Sequence, residues 1–118
     1  IDQDPKLAED LKTAVALAGS AVEAQDAINK SRKKIAVFER DRSSLSGDLQ
    51  KTYDDMIGKQ NRSIAGNQDA FDRSLSALRD LPQQVKVEAL IIVREQLGNG
   101  DKAAAFDALE QEIKSAAN

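Results

Sequence analysis

A chain of 118 residues is enough for one domain, burying roughly two-thirds of its unfolded surface. Seventeen Lys and Arg against twenty Asp and Glu leave a net charge of −3, which argues against nucleic acid as a partner. Cysteine and histidine are both absent, which excludes disulfides and thiolate zinc sites and removes the commonest general base and transition-metal ligand.

The hydrophobic share of 41% is inflated by 18 alanines, and aromatic residues make up only 3%. Alanine favours helix but buries little surface, so a thin, elongated bundle is expected. No apolar run approaches the ~18 residues of a membrane span. The chain opens on Ile1 and not on Met, as a processed or trimmed segment would. On that ground a periplasmic or secreted protein is expected in preference to a cytoplasmic one, and the richness in alanine suggests a bacterial one.

Asp4-Pro5 pairs a good N-cap with a proline suited to the first helical position. Leu7, Leu11, Ala14, Ala18, Ala21 and Ile28 then recur at helical spacing, widened by Val15 and Val22 and continued by Ile35 and Phe38. The spacing predicts a first helix over 5–42, roughly 57 Å long. Ser43-Ser44-Leu45-Ser46-Gly47-Asp48 is the clearest break, supplying N-cap residues and a glycine to reverse the chain. In the second helix Ile57, Ile64, Phe71 and Leu78 repeat at sevens, a seam against a neighbouring helix. Gln60, Asn61, Asn67 and Gln68 stand where the other half of that seam calls for leucine.

Asp80-Leu81-Pro82 stops the second helix and starts a third. Its stretch from Val85 to Leu97 is the most apolar in the chain, with Leu90-Ile91-Ile92-Val93 unbroken. This run is expected deep in the core, touched on several sides. Gly98-Asn99-Gly100-Asp101 offers a glycine C-cap and an aspartate N-cap, and Phe106, Leu109, Ile113 and Ala116 mark a last helix. The expected fold is all-α: a long antiparallel hairpin over about 5–79 and a short, compact C-terminal hairpin over about 81–117, in one domain. The short hairpin should cover one end of the long one, leaving the rest as a two-helix coiled coil or for another copy of the chain.

The strongest charge feature is Lys30, Arg32, Lys33 and Lys34, extended by Arg40 and Arg42 and opposed in that stretch only by Glu39 and Asp41. It suits an acidic protein, an anionic lipid surface or a phosphate, or is simply a solvated helix face. Gln60, Asn61, Asn67 and Gln68 could line a polar cavity, meet a partner, or fix register. Asp54, Asp55, Asp69 and Asp72 lack the ligand spacing of a calcium loop, and no Glu-x-x-His pair suggests a di-iron site. No nucleophile motif or phosphate-binding glycine loop is present. Asn29-Lys30-Ser31 and Asn61-Arg62-Ser63 match the glycosylation triplet, a pattern frequent by chance.

These observations lead to a non-catalytic protein–protein interaction module of adaptor, chaperone-like or inhibitor/immunity type, without cofactor or metal. Its partner would be another protein or a second copy of itself, met through exposed helix faces of the long hairpin. A ligand-binding sensor domain and a structural coiled-coil dimer are the alternatives.

Overall fold

Asp4 caps the first helix as its position suggests: its carboxylate accepts hydrogen bonds from the amides of Lys6 at 2.9 Å and Leu7 at 3.4 Å, with Pro5 opening the helix. The computed structural model describes residues 4–117, with side chains up to Ser115. Ile1, on which the expected location rests, and the side chain of Ala116 lie outside the described residues. Within these limits the chain is four helices, α1 (Pro5–Arg42), α2 (Asp48–Arg79), α3 (Gln83–Leu97) and α4 (Ala103–Ala117). They form an all-α bundle 66 Å long and 26 by 24 Å across.

At the turn after α1, the serines serve the helix behind them. Ser43 Oγ donates to the Arg40 carbonyl at 2.6 Å and Ser44 Oγ to that of Asp41 at 2.9 Å, satisfying acceptors that a helix end leaves open. The expected side-chain N-cap of α2 is therefore absent. Gly47 occupies that position at φ +63°, where any side chain would be strained. Gly98 ends α3 at φ +60° as expected, but α4 begins at Ala103, two residues beyond Asp101.

The core sits at one end of the long hairpin. Ala14, Ala18, Ala21, Val22, Ala24 and Ile28 of α1 are buried against Phe71, Leu75 and Leu78 of α2. Val85, Ala89, Leu90 and Val93 of α3, with Ala105, Phe106, Leu109 and Ile113 of α4, complete it. Alanines on α1 let three neighbours approach its axis closely, which is why so few large side chains fill the interior. Arg79 pairs with Glu112 at 3.2 Å and Lys102 with Glu23, tying α4 to α2 and α1. The Arg94 guanidinium lies 6.0 Å from the Phe106 ring centre, joining α3 to α4.

One expectation is corrected here. The apolar run of α3 is not enclosed: Val87 is 44% and Ile91 48% exposed. A helix turns one stripe toward a single layer of neighbours, and in α3 Val85, Ala89, Leu90 and Val93 use that stripe up. Ile92 instead edges an open apolar groove of about 630 Å³ with Pro5, Ala8, Leu11 and Val15 of α1. Both α3 and α4 pack more extensively on α1 than on one another, so α1 is the common spine.

Truncating Leu78, which is fully buried, should therefore cost about 2–5 kcal/mol in urea unfolding. The same truncation of Ile91 should cost under about 1 kcal/mol, although it lies in the most apolar stretch.

Candidate functional site

Beyond Ser31 on α1 and before Phe71 on α2 no residue is buried, although both helices continue unbroken. The distal third of the hairpin, from Arg32 on α1 to about Lys59 on α2, is thus a two-helix arm extending from the four-helix block. Phe38 meets Tyr53 edge-on, ring centres 6.0 Å apart, and Arg42 pairs with Asp54 at 2.6 Å. Ile35, Met56, Ile57 and Ile64 are half-buried between the two helices, as a pair without further neighbours permits.

The Phe38–Tyr53 contact fixes the antiparallel register, and both helices rise about 1.5 Å per residue. Six residues back from Phe38 is Arg32, and six forward from Tyr53 is Lys59. The basic cluster read from α1, namely Lys30, Arg32, Lys33 and Lys34, therefore lies level with Lys59 and Arg62 of α2. All six are exposed. Together they make a collar of cations where the arm leaves the block. Lys59 and Arg62 were missed in the sequence because they stand almost thirty residues away from the cluster. A hairpin folded about Leu45 or Ser46 would have brought them to it.

Lys30 is committed inside the chain. Its ammonium pairs at 2.9 Å with Asp26, whose side chain is only 9% exposed, one turn earlier. The hydrogen bond and charge of Asp26 raise the Lys30 pKa above its ordinary 10.5; slight desolvation opposes this, and Asp101 and Glu23 add to it. Because the folded value is raised, the pair's stabilisation is complete below the ordinary lysine range and is lost only as pH climbs through the raised value. Among the described residues, Arg32, Lys33, Lys34, Lys59 and Arg62 take part in no ion pair. Arg40 contacts only its neighbour Asp41, at 3.7 Å. Where α4 begins, a notch of about 590 Å³ lies between Asp26, Asn29, Lys30, Arg32 and Lys33 on one side and Asp101 and Ala104 on the other.

The four amides of the polar seam are not gathered into one site. Gln60 is half-buried between the helices, whereas Asn61 is exposed. Asn67 donates to the Ser63 carbonyl at 2.9 Å and Gln68 to Asp72 at 3.1 Å, both within α2. The carboxylates of this region are dispersed in the same way, Asp54 to Arg42 and Asp69 to Arg73. Among the described residues no group of three or more acidic side chains is placed to hold a metal ion. No helix among them is long and apolar enough to cross a membrane. No protein-family model, curated protein or solved structure matches this chain at a significant level.

Titration by NMR should find the Lys30 ammonium losing its proton above the ordinary lysine range, and Asp26→Asn, which removes the largest cause, should bring it most of the way back. Gln60→Leu should raise stability by about 1 kcal/mol by adding apolar burial between the helices. Asn61→Leu, on the exposed side, should change it by less than about 0.5 kcal/mol in the same urea experiment.

Proposed function

We propose that this chain is a non-catalytic docking module whose arm binds an acidic surface on a protein partner. The observation that carries this reading is the collar: five cations without an internal partner, contributed by both helices of a projecting hairpin, in a chain of net charge −3. A folded protein gains little from crowding like charges, so their concentration at one level is better suited to an opposing anionic surface. Long lysine and arginine side chains on a rigid helical pair present that charge at small entropic cost to the backbone. The four-helix block in this reading is the anchor that holds the arm straight, and no bond-making chemistry is assigned to it.

Poly-L-glutamate provides a defined acidic polypeptide on which to test the collar. Titrated by fluorescence anisotropy at low salt, the wild-type chain should bind it, and binding should weaken as salt is added. The triple variant Arg32→Glu, Lys33→Glu, Lys34→Glu should bind at least about tenfold more weakly with its helical circular dichroism unchanged. Equal binding by the variant would remove the collar as the docking surface. Tighter binding to a single-stranded oligonucleotide of equal charge would replace the protein partner with a nucleic acid.

A further inference from the structure

The arm carries a second pattern, along its length. Lys30, Lys34, Val37 and Asp41 recur at spacings of four, three and four, so they form one stripe on α1. Lys30 and Lys34 are exposed, Val37 is 41% exposed, and the Asp41 side chain is 44% exposed. From the root of the arm to its tip the stripe reads cation, cation, apolar, anion. On α2, exposed Lys59 and Leu49 follow the same order from cation to apolar, with Leu49 57% exposed near the tip. The whole arm is graded likewise. Its root holds Lys30, Arg32, Lys33, Lys34, Lys59 and Arg62, while from Glu39 to Asp55 five carboxylates outnumber three cations.

Such a stripe is complementary to itself when turned end for end. We infer that the acidic partner of the arm is the arm of a second copy of this chain, docked antiparallel about a two-fold axis at Val37. This rests on the docking reading above and names its partner. In that arrangement Val37 meets its own equivalent, and Lys34 of each copy faces Asp41 of the other. The acidic tip of each arm reaches toward the basic root of its partner. The parallel arrangement would set Lys34 against Lys34 and root against root, placing like charges in contact. An isologous contact of this kind uses one surface twice and closes after two copies.

The occupant follows from two features that an unrelated acidic protein does not require. The stripe carries its own counter-charge, and its centre is apolar. About twelve residues of α1 form the arm, some 18 Å, so the contact is smaller than the ~800 Å² per partner of a standard interface. A reversible monomer–dimer equilibrium is the expected consequence.

Sedimentation equilibrium on the wild-type chain, over concentrations rising to about 1 mM, should resolve a dimer that dissociates as salt is added. Lys34→Asp alone and Asp41→Lys alone should each weaken it at least about tenfold, and the double variant Lys34→Asp, Asp41→Lys should restore it. Val37→Arg, which sets like charges together on the axis, should leave only monomer. Lys34 and Val37 are exposed, the Asp41 side chain is 44% exposed, and Lys near the α1 C-terminus favours the helix, so circular dichroism should be unaltered. A chain that stays monomeric throughout overturns the second copy as partner; loss of the polyglutamate response, a separate measurement, overturns the docking reading itself. A dimer indifferent to these substitutions, or one that the double variant fails to restore, overturns the antiparallel arm contact.

Discussion

Three other helices can reach α1 because its inner positions are alanine. Ala14, Ala18 and Ala21 have no exposed surface, and each lies where a leucine would push a neighbour outward. With the spine this narrow, α2, α3 and α4 are drawn close enough for Leu78, Val85, Leu109 and Ile113 to fill the space between them. The interior is small for 118 residues, and it depends on that approach distance more than on the bulk of its side chains.

The same thinness explains the arm. Where α3 and α4 stop, α1 and α2 have only each other, and a pair of helices shields its contact side chains from two directions at most. Ile35, Phe38, Ile57 and Ile64 consequently remain half-exposed even though they continue the apolar pattern of the block. Charged side chains surround them freely because nothing packs outside, and this lets a collar of like charge exist at all. Packing and electrostatics are thus two consequences of one change, from four helices to two.

Much of the fold was legible in the sequence. Asp4-Pro5, Pro82 and Gly98 act locally, through backbone geometry and nearby amides, and they mark the helix ends without help from tertiary structure. The seam Ile57, Ile64, Phe71, Leu78 was legible because periodicity survives any arrangement of neighbours. What escaped depends on three-dimensional context. The serines at 43 and 44 suit either end of a helix, and only the direction of their hydroxyls distinguishes capping forward from capping back. Composition marked Val85 to Leu97 as deep core, but enclosure requires neighbours on every side, and a bundle with one spine does not supply them. For the candidate site, four cations close together in α1 were visible, while Lys59 and Arg62 join them only through hairpin register. The amides at 60, 61, 67 and 68 looked like a set because they share one broad arc of α2, but Asn67 and Gln68 are taken by Ser63 and Asp72 of their own helix and Asn61 is exposed.

The lack of any buried residue between Ser31 and Phe71 also governs how the molecule comes apart. Local opening costs little where few apolar contacts are lost, so protection against hydrogen exchange should rise steadily from the Ser43–Gly47 turn toward the four-helix block. The uncapped start of α2 at Gly47 is the natural point for fraying to begin. Opening there leaves the alanine spine and its partners intact. The chain therefore has two thresholds of order, a low one in which the arm unzips from its tip and a high one in which the block melts.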